Sequence, residues 1–197
     1  MKAPLLRFSR SVHWISSALA LMAVLFFALS GLTLNHATWF TAKPVEGVDE
    51  LELGRAWLKD FVEAEAESQR LYMLSSLVAE RWTLPLPSNI DQDDYEWVLD
   101  YQRPGGLSTI VLDLEAGMLV HEKIDDGFVA LINDLHKGRH SGAVWSLFID
   151  LAALLSIVFS LSGLILLWAH ARKRSMTWPL VAVGLIFPFI VFWIWVP

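Results

Sequence analysis

Three long apolar runs divide this chain. Residues 15–34 contain no charge, residues 143–168 contain one, Asp150, and residues 178–197 contain none. At about 1.5 Å of rise per residue, each run covers roughly one hydrocarbon core, so the pattern predicts three membrane-spanning helices. Pro188 falls inside the third, where a kink is expected and tolerated. Trp14, Trp39, Trp145, Trp168, Trp178, Trp193 and Trp195 fall at or near the run ends, where the indole ring prefers the membrane interface.

Between the first two runs the pattern is that of a small water-exposed domain. Residues 49–67 place Leu51, Leu58 and Phe61 at helical spacing among acids, which predicts an amphipathic helix, and residues 71–82 predict a second. The period then changes to two. Glu96–Tyr101, Leu107–Asp113 and Met118–Lys123 predict a three-stranded antiparallel meander, with turns at Arg103-Pro104-Gly105-Gly106 and Glu115-Ala116-Gly117. A helix from Phe128 to Lys137 leads to the second run. The expected fold class is an α-helical membrane protein with three transmembrane helices and a small α+β domain between the first and second. Its divisions are 1–35, 36–142, 143–169, 170–177 and 178–197.

Charge predicts the orientation. Segment 35–142 holds 20 of the 21 acidic residues and nine basic ones. Lys2, Arg7 and Arg10 precede the first run, and Arg172, Lys173 and Arg174 follow the second, with no acid in either segment. The positive-inside rule then puts both basic segments in the cytoplasm and the acidic domain outside. The first run exceeds a usual signal-peptide core and no convincing small-x-small site follows it, so an uncleaved anchor is expected. The net charge of −6 averages two compartments. Nothing resembles the basic stripe of a nucleic-acid-binding protein.

The chain has no cysteine, which excludes disulfides, iron–sulfur clusters and covalently attached haem. Four of its six histidines mark the ends of the first two apolar runs: His13 and His36 bracket one, His140 and His170 the other. Two antiparallel helices so marked would bring one histidine pair together at each membrane face. That is the pattern of two bis-histidine sites for haem b, His13 with His170 inside and His36 with His136 or His140 outside. His136 and His140 would share a face on a continuing helix, so the choice between them stays open. His121 sits in a predicted strand beside charged neighbours and is expected to be solvated. Soft-metal transport and zinc hydrolysis fit poorly, since there is no Met cluster in a span and no His-Glu-x-x-His.

Asp150 is costly inside a span unless it is paired, hydrogen-bonded or protonated. It could orient a ligand histidine, relay a proton, or bond to Ser30 or Thr33. Gly31 and Gly163, each beside a serine, suit close helix packing or room for a flat macrocycle. Arg139 and Lys137 are candidates for neutralising haem propionates, with a solvated loop as the default. The alternating acids of residues 49–67 read as a solvated face.

The order of these features resembles the PepSY-associated transmembrane family over nearly the whole chain. The residues that carry the resemblance are His13-Trp14, Ser30-Gly31-Leu32, Asn35-His36, Asp134-Leu135-His136 with Gly138, Trp145, Asp150, Ser162-Gly163-Leu164 and Leu167-Trp168. The family's better-studied members are bacterial inner-membrane ferric-siderophore reductases with b-type haems on transmembrane histidines. The resemblance therefore implies a PepSY-like outer domain and a ferric acceptor. Electrons would pass from a quinol or cytoplasmic reductant, through two haems, to ferric iron in a siderophore or chelate. This chain is shorter than those relatives, and a homodimer is one way to complete the path. The competing expectation is a cofactor-free accessory protein, anchored in membrane lipid, whose outer domain binds or inhibits a partner.

Overall fold

The computed structural model describes residues 3–40 and 43–196. Lys2, one of the N-terminal bases, lies outside them, as do Thr41 and Ala42 of the expected outer segment and Pro197 at the end of the third run. In chain order the protein forms α1 (Ala3–Asn35), a 3-10 turn (Ala37–Phe40), β1 (Val45–Glu52), α2 (Arg55–Glu63) and α3 (Glu67–Trp82). Then come β2 (Asn89–Gln92), β3 (Glu96–Arg103), β4 (Gly106–Asp113) and β5 (Met118–Asp125). The chain continues through α4 (Gly127–Lys137), α5 (Gly142–His170) and α6 (Thr177–Trp195). Helices α1, α5 and α6 are each long and apolar enough to cross a membrane. The α+β domain lies between the first and second of them, as the sequence predicts.

The chain divides into two compact units, one made of α1 up to Phe26 with everything from Leu147 onward, the other of Phe27–Ser146. In the first, α1 begins well before its apolar run because Leu5, Leu6, Arg7 and Arg10 are good helix formers. Its buried residues, Ser9, Ser16, Ala20 and Ala23, fall on one face, and α5 buries Ala152 and Ser162. Small side chains let membrane helices approach closely where hydrophobic burial gives no driving force between them. Pro188 lies inside α6.

The second unit is built on a five-stranded antiparallel sheet of order β1-β5-β4-β3-β2. Alternate residues of the inner strands, Trp97, Leu99 and Tyr101 with Ile110, Leu112 and Leu119, are buried on one face. The register sets Trp97 opposite Leu112, Leu99 opposite Ile110 and Leu112 opposite Leu119. Helices α2 and α3 cover that face with Phe61, Leu74 and Val78. Phe61 stacks on Trp57 and meets Trp97 edge-on, with ring centroids 5.4 Å apart.

Two elements correct the sequence reading. The predicted three-stranded meander is the centre of a larger sheet, because β1 pairs with β5 and the short β2 with β3. The predicted helix over 49–67 is a strand through Glu52, then α2, then an extended break at Ala64 before α3. Leu51 belongs to β1, where it faces Leu119 across the ladder. Leu58 and Phe61 belong to α2, so their helical spacing from Leu51 is coincidental.

The β3–β4 hairpin turns on Pro104-Gly105, with Gly105 at φ +72°, as a proline followed by a left-handed glycine favours. A Cβ on Gly105 would lie 2.9 Å from the backbone of Leu131 in α4. The glycine thus also lets α4 come against the turn. Asp125 closes the other side of this corner, accepting the Gly127 N–H at 2.9 Å and pairing with Arg103 at 3.3 Å. The Gly127 N–H first, and the Arg103 guanidinium second, hold its carboxyl below the ordinary carboxylate range.

Candidate functional site

In the first unit, α1 and α5 bring His13 and His170 to the wall of one cavity of about 610 Å³, lined also by Phe159, Gly163, Leu164, Leu167, Arg174 and Thr177. The His13 ring stacks on Phe159 at 4.8 Å between centroids. Its Nδ1 lies 3.1 Å from the Phe159 carbonyl and 3.2 Å from Ser162 Oγ. The Nδ1 of His170 lies 2.8 Å from the Leu166 carbonyl, one turn back on its own helix. A carbonyl oxygen only accepts, so Nδ1 of each imidazole is the donor, and the neutral form of such a ring has its lone pair on Nε2. This is the tautomer in which Nε2 can bind a metal, with the backbone fixing the ring through the other nitrogen.

Gly163 makes room for this arrangement, since a Cβ there would lie 3.1 Å from His13 Cε1. Among the described residues lining the cavity, Arg174 carries the only fixed charge. Apolar walls, two imidazoles and one guanidinium suit a flat apolar ligand that bears carboxylates. Among the described residues no group of three or more His, Cys, Asp or Glu could hold a bare metal ion.

In the second unit, Asp134-Leu135-His136 joins three elements. The Asp134 carboxylate accepts the Gly105 N–H at 2.9 Å, the Leu135 carbonyl accepts the Trp145 indole N–H at 2.8 Å, and His136 Nδ1 lies 2.7 Å from Ser30 Oγ. Phe27 meets the His136 ring edge-on, and Gly31 leaves space for it, since a Cβ on that glycine would lie 3.4 Å from His136 Cε1. Next to it, Thr33 donates to Asn133 at 2.8 Å. The second and third residues of α4's last turn thus dock on α5 and α1.

The sequence model of the PepSY_TM-like family matches residues 5–197, which takes in every element described. The chain belongs to this family. No curated protein and no solved structure matches it.

In this PepSY_TM-like protein the other histidines that the sequence pairs have partners of their own. His36 stacks on Trp39 at 3.9 Å between ring centroids, and its Nε2 lies 3.5 Å from the Asn35 amide, whereas His136 is seated on Ser30. Helix α4 stops at Gly138, whose φ of +68° ends it in the left-handed region. His140 follows at φ +53° and is exposed, so it shares no helix face with His136. Arg139 is exposed in the same turn.

Asp150 is exposed on α5 and has no hydrogen bond or ion pair among the described residues. The hydroxyls considered for it are taken, Ser30 by His136 and Thr33 by Asn133.

His121 is partly buried rather than freely solvated. Its Nε2 is buried with no partner among the described residues, its ring lies 5.1 Å from that of Trp82, and it faces Asp49 across the β1–β5 ladder. Desolvation lowers its pKa most; Asp49 opposes this and Lys123 adds to it. Asp49 accepts the Trp82 indole N–H at 2.7 Å and pairs with Arg81 at 3.1 Å.

Sequence reasoning took Arg174 for a loop charge and gave no role to Phe159. Arg174 gave no periodic signal, because it stands beyond the end of α5, in extended backbone after a short 3-10 turn. Phe159 carried no signal of its own.

Proposed function

We propose that this membrane protein binds haem b between His13 and His170 and carries single electrons outward to an acceptor on the far side of the membrane. By family resemblance, the acceptor is ferric iron in a siderophore or similar chelate. The observation that carries the reading is that both imidazoles face one cavity with Nδ1 committed to a carbonyl and Nε2 left for iron. When bound, haem supplies a one-electron couple. His13 and His170 would hold its iron. Phe159, Ser162 and the Leu166 carbonyl hold those rings in orientation, and Arg174 would neutralise propionate charge. The leucines of the cavity wall exclude water and so help set the potential.

The absorption spectrum of the purified protein tests haem binding: reduction should give b-type Soret and α bands. Reduced protein in liposomes, challenged with a membrane-impermeant ferric chelate on the side of the α+β domain, tests the acceptor. Reoxidation supports ferric reduction. An unchanged reduced spectrum leaves haem in place and removes that function.

The second reading is a cofactor-free accessory protein whose α+β domain binds a partner. The separate partners of His36 and His136, and the exposure of His140, support it. A featureless visible spectrum would establish it over the first.

A further inference from the structure

Leu147, Asp150, Leu154, Ile157, Leu161, Leu164 and Trp168 follow one another along α5 at alternating steps of three and four residues. That is the a/d repeat of a left-handed coiled coil. Every one of these residues is exposed, the six apolar ones from 44 % at Leu164 to 63 % at Trp168. At 3.6 residues per turn the stripe lies about half a turn round α5 from Ala152, Phe159 and Gly163, which pack within the chain. Helix α5 therefore has a second, complete packing seam that nothing in this chain occupies among the described residues.

Lipid satisfies the leucines but not Asp150. The carboxyl stands eight residues, about 12 Å, into the helix from Gly142, and five residues beyond Trp145. A carboxyl at that depth calls for a hydrogen-bonding partner. The charge-free parts of α1 and α6 offer no Lys or Arg to any neighbour.

We propose that this seam is the contact face for a second copy of the chain, with Asp150 meeting Asp150 of the other copy. All copies of a membrane protein share one orientation, so two α5 helices pair in parallel, and each core position of a parallel two-fold pair meets itself. A carboxyl is suited to that position: two of them sharing one proton supply both donor and acceptor, and the repulsion of two charges is avoided. A partner with a membrane-buried base is the competing occupant. It would not need the long self-complementary repeat that continues from Leu147 to Trp168.

The absence of cysteine gives a clean test. Single-cysteine variants of the full chain, Leu154→Cys and Ile157→Cys on the seam, and Phe148→Cys and Leu151→Cys off it, are oxidised in native membranes. All four positions are exposed. The seam variants should form disulfide-linked dimers at least several-fold more than the other two. In the Ile157→Cys background, Asp150→Asn should keep cross-linking, since an amide is also self-complementary, and Asp150→Leu should reduce it several-fold. Equal cross-linking on and off the seam, none at any position, or adducts of a mass other than twice the chain would overturn the proposal. So would insensitivity to Asp150→Leu. None of these outcomes depends on whether haem is bound.

Discussion

His13 and Gly163 meet so closely that a methyl group on the glycine would lie 3.1 Å from the imidazole Cε1. The same pairing recurs in the other unit, where His136 lies over Gly31 with the corresponding distance at 3.4 Å. In both, the residue before the glycine is a serine within hydrogen-bonding distance of the imidazole Nδ1: Ser162 for His13 and Ser30 for His136. Each Ser-Gly-Leu triplet is a seat for a histidine from a different helix. The two seats differ in what else borders the ring, since His13 shares its cavity with a second histidine, His170.

The difference of a few tenths of an ångström separates two substitutions. Gly163→Ala should push His13 aside, at about 1–3 kcal/mol as overpacking, and shift or weaken the haem spectrum. Gly31→Ala makes ordinary contact and gains helix propensity, up to about 1 kcal/mol, so its melting temperature should stay near wild type or rise. Parallel thermal melts and spectra of the two variants check this. Equal losses would show that the seats are not set by ring contact.

Ligation by the proposed pair has its own pattern. His13→Ala and His170→Ala should each abolish the b-type spectrum, while His36→Ala and His140→Ala should leave most of it. Pyridine haemochrome content per mole of protein measures this directly. Loss of haem in the His36 or His140 variant alone would move the site to the other end of the helices.

Asp134 should matter for stability rather than for the spectrum. Asp134→Ala leaves the Gly105 N–H without its charged acceptor, a loss of about 1.5–3 kcal/mol. Asp134→Asn keeps a neutral acceptor and should lose less. Denaturant titration of the full chain, followed by tryptophan fluorescence, gives the order wild type, then Asn, then Ala. The reverse order of Asn and Ala would count against this bond.

His121 makes the sheet sensitive to mild acid. Its pKa is lowered in the folded chain, so below the ordinary histidine value of 6.5 the unfolded chain binds the extra proton and stability falls with pH. The loss begins near that value and continues down to the depressed folded value. Replacing His121 with Gln should flatten the melting temperature between pH 7 and pH 5.5. The facing charges are Asp49 on β1 and Lys123 on β5, with Arg81 of α3 holding Asp49. An unchanged pH slope in the variant would assign the effect to another group.

The membrane helices were legible in the sequence because their signal is local: charge-free length decides them whatever they pack against. The inner strands were legible for the same reason, since Trp97, Leu99 and Tyr101 alternate with half-buried or exposed neighbours. Strand β1 was not. Its eight residues include four acids and only Leu51 and Asp49 are partly covered, so no alternation marks it, and its pairing depends on residues far along the chain. Strand β2 is exposed throughout. Of the candidate site, His13 and His170 were recognised from their positions at helix ends. The seat of His136 on Ser30 was not, because it depends on a hydroxyl presented to a ring more than a hundred residues away.

The place of β1 at the sheet's edge, bonded only to β5, bears on how the protein comes to be made. As the chain emerges, β1 is complete long before its neighbour exists, and α2, α3 and three more strands must appear first. Throughout that interval the strand has open backbone groups on both sides. Glu46, Asp49, Glu50 and Glu52 keep it soluble and discourage it from joining a like strand on a neighbouring nascent chain. The acids that obscured the strand in the sequence are thus its protection until β5 arrives to claim it.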